Sequence, residues 1–247
     1  MNWNSLSTLF FRRVYKRSVN NQCVLCQAPS RQHICNSCLL GVHTNQVHCA
    51  LCRRPTEQAL SLCGECQRHP PSYDYCIAPL LYEANTKAMI QAIKFRQQKY
   101  YMAPLIQLLH KEITRHYKEQ WPTQLWYVPS HPLRIKSRGF CQTREMATLL
   151  HHFLLDSHPQ QAIELPSANL LTKQHNTQAQ HSLHKRERIK ATKNLYHCAI
   201  KPAPHIALFD DVMTTGSTIE SCCKALKQAG AEKVDIWVVA RTADKNH

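Results

Sequence analysis

The chain has 247 residues, enough for one domain of ordinary size and an appendage. Its 43% apolar content supports a packed core and excludes a disordered chain, while 5 glycines and 13 prolines exclude a linker-rich or collagen-like one. Lysine and arginine number 31 against 16 acids, and the net charge of +15 favours polyanionic partners such as nucleic acid, phosphorylated ligands or anionic lipid.

Residues 1–20 read as an N-terminal extension. The apolar stretch 6–11 is short and precedes Arg12-Arg13 instead of following a charged region. No small-residue cleavage site follows, so it is not read as a signal peptide. No run of 18 apolar residues occurs, so no membrane span is expected. The expected compartment is the cytoplasm, where thirteen cysteines do not build a disulfide framework.

Residues 21–70 hold eight of those cysteines in four Cys-x-x-Cys pairs: Cys23/Cys26, Cys35/Cys38, Cys49/Cys52 and Cys63/Cys66. Two thiolates two residues apart can face one cation, and two such pairs complete a tetrahedral Zn2+ site. The gaps suit short hairpins, so pairing in sequence into two zinc ribbons is expected; a cross-braced scheme is the alternative. Each set of four closes its own site. The metal is therefore expected to staple a segment too small to bury a core of its own.

His69-Pro70-Pro71-Ser72 reads as a linker. Beyond it, residues 71–247 alternate strand and helix patterns. A strand is predicted over 76–82 and a helix over 86–95. A second helix carries Leu105, Ile106, Leu109 and Ile113. A short strand is expected over 125–128, then a helix carrying Met146, Leu149, Leu150 and Leu154. A buried strand at 206–209, a helix at 219–226 and a closing strand at 234–240 complete the pattern. This predicts an α/β fold, a mostly parallel sheet flanked by helices. The tract 173–201 is polar and basic with Glu187 as its only acid, and reads as a loop that closes over a ligand.

The most informative run is His205-Ile-Ala-Leu-Phe-Asp-Asp-Val-Met-Thr-Thr-Gly-Ser-Thr218. An apolar strand leads into Asp210 and Asp211, then into Thr214, Thr215, Gly216, Ser217 and Thr218 ahead of a helix. At the carboxyl end of a parallel strand, a ligand meets the next helix's amino terminus. Backbone amides of 214–218 can face a phosphate, Gly216 permits close approach, and the two acids can accept from ribose hydroxyls. The chemistry expected is a ribose-5-phosphate site.

This run resembles the phosphoribosyl pyrophosphate signature of type I phosphoribosyltransferases. The whole chain resembles the ComF (ComFC, GntX-like) competence-protein family over residues 20–242. Four regions carry the likeness: the cysteine pairs, Ala92-Ile-Lys-Phe-Arg96, Arg138-Gly-Phe-Cys-Gln142, and the pattern of Thr177, Gln180, Leu183 and Arg188 in the basic tract. Departures are Gln97 for the usual glycine, Cys141 for asparagine, Ala191 for asparagine, and a shortened Pro129-Ser-His-Pro132.

The resemblance implies a type I phosphoribosyltransferase fold behind a double zinc ribbon. It implies phosphoribosyl pyrophosphate bound with Mg2+, and a role in DNA uptake during natural transformation, with single-stranded DNA and other uptake or recombination proteins as partners. In such transferases protein cations stabilise the leaving pyrophosphate. The candidates are Lys94, Arg96, Arg138 beside Gly139 at an apparent helix start, Lys173 and Arg188; with Asp210 and Asp211 the last three cations form the candidate catalytic set. Gln180 is a candidate for orienting pyrophosphate or an acceptor. The departures spare the phosphate loop, so ligand binding is a firmer expectation than turnover. A nucleic-acid-binding protein without turnover is the alternative, carried by Lys94, Phe95, Arg96, Lys185, Arg186 and Arg188, where basic and aromatic residues interleave. A salvage transferase ranks third, because no base pocket is evident.

Overall fold

The computed structural model describes residues 21–173 and 195–243. Two short helices mark the cysteine-rich segment, α1 (Asn36–Leu39) and α2 (Gly64–Arg68). Each begins directly after a cysteine, Cys35 or Cys63, whose extended backbone sits at the amino cap.

The body follows in chain order as β1 (Tyr75–Ile77), β2 (Leu80–Leu81), α3 (Ala84–Arg96), α4 (Met102–His116), β3 (Gln124–Tyr127), α5 (Pro132–Arg138) and α6 (Gln142–Ser157). Then come β4 (Leu171–Lys173), β5 (Tyr196–Cys198), β6 (His205–Met213), α7 (Ser217–Gln228) and β7 (Lys233–Arg241). The central sheet runs β1-β7-β6-β3, with β2 also on β7, and every pairing is parallel. Helices cover both faces, which is why β6 and β7 read as continuous apolar runs.

Alternation along β6 divides the core. Ala207 and Phe209 pack in the layer with Ile93, Leu105 and Leu150 of α3, α4 and α6. Ile206 and Leu208 pack in the opposite layer with Cys222 and Leu226 of α7. All four cysteines from Cys49 to Cys66 belong to that second layer.

Three expectations need correction. The strand predicted over 76–82 is two strands, because Pro79 has no amide to donate and its carbonyl instead accepts from the Asn45 N–H at 2.7 Å. Thr44 bridges Leu80 there, so the cysteine-rich segment borders the sheet. Part of the tract read as a loop is strand β5, which pairs antiparallel with β4. Finally, α5 has no counterpart in the sequence pattern, and Arg138 stands at its end, not at a helix start; Gly139 caps it with φ of 77°. Thr177, Gln180, Leu183, Lys185, Arg186, Arg188 and Ala191 lie outside the described residues. Among the described residues no helix is long and apolar enough to cross a membrane.

Candidate functional site

The cysteines gather in sequence order. Cys23, Cys26, Cys35 and Cys38 form one group, Cys49, Cys52, Cys63 and Cys66 another, and the sulfurs of each group lie within 4.8 Å of one another. Cys26 and Cys35 sulfurs are 3.7 Å apart, as are those of Cys52 and Cys63. Tetrahedral zinc with 2.3 Å bonds sets its sulfurs about 3.8 Å apart, so the spacing fits. Backbone amides also aim at sulfur: Leu25 and Cys35 at Cys23 (3.4 and 3.3 Å), and Cys63 at Cys49 (3.2 Å). Burial alone would raise these two thiols, but amide donors outweigh it, holding Cys23 near 6 and Cys49 near 7. Each tetrad could therefore hold a structural zinc ion.

The phosphate-loop candidates sit at the carboxyl edge of the sheet. Strand β6 extends past residue 209, so Asp210 and Asp211 are still in it and alternate. Asp210 takes the α7 side and Asp211 the side of α3 and α6. Thr214, Thr215, Ser217 and Thr218 are exposed. Gly216 caps α7 with φ of 83°, a left-handed conformation that favours glycine, and a Cβ there would displace the Met213 methyl, 2.7 Å away. The Thr215 and Ser217 hydroxyls are 3.1 Å apart.

The two carboxylates differ. Asp211 is buried and bound by the Lys94 ammonium at 2.7 Å, and by the Gln142 side-chain amide. Asp210 accepts from the Asp211 amide at 2.8 Å. Burial, and next the Asp211 charge, push the Asp210 carboxyl up to about 8. The Arg138 guanidinium stands 5.8 Å over the Phe95 ring, and Phe95 is 73% exposed. Arg96 is exposed at the end of α3. Lys173 ends β4 on the α7 side, where its charge is felt by Cys222. The structure thus unites Lys94 with Asp211, and Phe95 with Arg138, while Lys173 stands apart from both.

Two of the sequence departures have local consequences. Gln97 closes α3 in the left-handed region, φ 56°, where glycine is favoured. Cys141 caps α6 without a side-chain bond to its amides, a service asparagine performs.

Sequence reasoning missed Arg241. It ends β7 with 1% exposure. Its Nε donates to the Cys52 carbonyl at 3.2 Å, and one terminal nitrogen donates to the Met213 carbonyl at 2.9 Å and to that of Thr214. The available signal was a cation directly after the five apolar residues 236–240, at the sheet edge where ligands bind.

No family model matches the chain. Relatives do. DNA utilization protein YhgH of Salmonella typhimurium is 28% identical over 232 residues, 91% of this chain and 99% of that protein. Competence protein F of Haemophilus influenzae is 26% identical over 233 residues, covering 90% and 97%. HGPRTase-like protein 3 of Haloterrigena turkmenica is 41% identical over 54 residues, 22% of this chain and 29% of that protein. With its parallel sheet, its paired cysteine tetrads and this similarity over nine-tenths of its length, the chain is related to competence and DNA utilization proteins and has a phosphoribosyltransferase-like α/β fold behind an N-terminal cysteine-rich segment.

Proposed function

We propose that this protein binds phosphoribosyl pyrophosphate with Mg2+ on the loop 210–218 and serves DNA uptake in natural transformation, where it handles incoming single-stranded DNA. One observation supports the ligand reading above all others. The strand-to-helix turn at the sheet's carboxyl edge combines a glycine cap, four exposed hydroxyl side chains and a cation–carboxylate pair, Lys94 with Asp211, at its flank. Phosphate would be held by the amides and hydroxyls of 214–218. Asp210 and Asp211 would orient ribose hydroxyls, and Lys94 would meet the pyrophosphate. Mg2+, carried with the ligand, neutralises pyrophosphate charge when bound. Structural zinc in both tetrads belongs to the same reading, as does a division at residue 70 between ribbons and transferase-like body. The relatives' names, competence and DNA utilization, supply the pathway.

Calorimetry with the ligand and Mg2+ tests this. Wild type should bind, and Asp210→Ala combined with Asp211→Ala should weaken binding at least ~100-fold, about 3 kcal/mol. Equal affinity in the double variant ends the reading.

A nucleic-acid surface is favoured by a separate observation. Phe95 stands exposed beside Arg138, and half-exposed Tyr100 follows on the next turn. Such aromatic faces stack bases, and stacking contributes about 1–3 kcal/mol per base. Phe95→Ala should weaken oligodeoxythymidylate binding by that amount without changing thermal stability, and binding should fall steeply with salt. Salt-independent binding would count against it.

A further inference from the structure

Arg241 joins two regions that the sequence keeps far apart. On one side it holds the carbonyl of Cys52, a member of the second tetrad. On the other it holds the carbonyls of Met213 and Thr214, the two residues at which β6 becomes the loop. A planar guanidinium presents its donors in a fixed fork, so these three acceptors cannot move independently while it is in place.

Its charge must also be balanced. Arg241 is fully buried, and among the described residues its hydrogen-bond acceptors are neutral carbonyls, with no carboxylate in ion-pairing distance. Arg53, half-buried on the turn after Cys52, donates to the Cys76 carbonyl at 2.8 Å and likewise meets no carboxylate among the described residues. A buried cation without an anion costs several kcal/mol. Four thiolates around one Zn2+ carry a net charge of −2. The second tetrad, buried at all four positions, fits as the counter-anion for this pair of guanidiniums.

We propose that Arg241 is a positioning residue that couples the second cysteine centre to the ligand loop: zinc at Cys49, Cys52, Cys63 and Cys66 holds the loop in its binding shape through this guanidinium, and the first tetrad takes no part. The coupling to ligand affinity rests on the phosphoribosyl pyrophosphate reading; the coupling to loop order does not. Linkage makes the effect reciprocal, so the loop's ligand tightens zinc binding at the second centre by the same free energy with which zinc favours the ligand.

The test uses the full zinc-loaded chain and amide hydrogen exchange, which needs no ligand. In Arg241→Met, amides of 214–218 should exchange about ten-fold faster, with those of 206–209 in β6 unchanged. Arg241→Lys, which keeps the charge and loses the fork, should fall between, and decides the matter if the methionine variant does not fold. Cys52→Ser should loosen the same amides, and Cys26→Ser in the first tetrad should not. Loop protection equal to wild type in both Arg241 variants overturns the proposal, as does equal loosening by the two serine variants. In parallel, zinc release to a chromogenic chelator is followed with and without phosphoribosyl pyrophosphate and Mg2+. If wild type fails to bind the ligand while exchange responds to Arg241, the ligand reading falls and the coupling stands.

Discussion

The two cysteine tetrads share one spacing logic and differ in burial. In the second, all four cysteines are buried in the sheet's core layer, and Cys52 offers its carbonyl to Arg241. In the first, only Cys23 is buried, and Cys26 is exposed. A repeated motif thus yields one centre built into the body and one at its margin. The difference teaches that metal-ligand spacing specifies local geometry, while burial decides what else depends on the metal.

The largest expected effect comes from breaking the buried centre. Cys52→Ser should remove one zinc per chain and destabilise by about 3–5 kcal/mol, since it strands buried thiolates and two guanidiniums. For a chain of this size that lowers Tm by roughly 6–20 °C. Cys26→Ser should lose one zinc as well but lower Tm by only about 2–4 °C. Equal losses in calorimetric melts would erase the distinction. Kinetics should sharpen it: a chelator should strip zinc in two phases about ten-fold apart or more, the exposed site first. A single phase in wild type would contradict the burial argument.

A smaller effect reports on the loop that the buried centre supports. Asp210 is pushed up to about 8, well above its unfolded value near 3.9. The folded chain therefore holds the extra proton between those values. The group's contribution is full below about pH 4 and is lost as pH rises through 8. Asp210→Asn should stabilise the protein at pH 8.5 by ~1 kcal/mol or more, roughly 2–4 °C in Tm, and leave it unchanged near pH 4. A variant with the wild-type pH profile would show that the carboxyl is not perturbed. The smallest effect is at Gln97, whose φ of 56° suits glycine. Gln97→Gly should be neutral or stabilising by up to about 1 kcal/mol, whereas glycine inside α3 would destabilise.

Much of this was legible in the sequence. Cysteine spacing announced both tetrads and their order, and the apolar run into Asp210 announced β6, its turn and α7. Other features were illegible for physical reasons. Helix α5 has no buried residue, so the segment Pro132–Arg138 leaves no apolar period to read. The Lys94–Asp211 pair spans the chain from α3 to β6, and only the tertiary fold brings it together. Period-two alternation would have told that Asp210 and Asp211 face opposite sides, had the strand been extended past Phe209. The apolar run ahead of Arg241 was a signal easily passed over, because a terminal cation on a strand is ordinarily solvated.

The Lys94–Asp211 pair has a further consequence. While it is closed, the ammonium is already neutralised and the carboxylate already occupied. An intruder that opens it must offer a negative group to one partner and a hydroxyl or a cation to the other in the same encounter. A nucleoside brings hydroxyls without the negative group and so meets one demand of the two. The pair thus leaves one cation of this strongly basic chain balanced inside the fold, not offered to every passing anion.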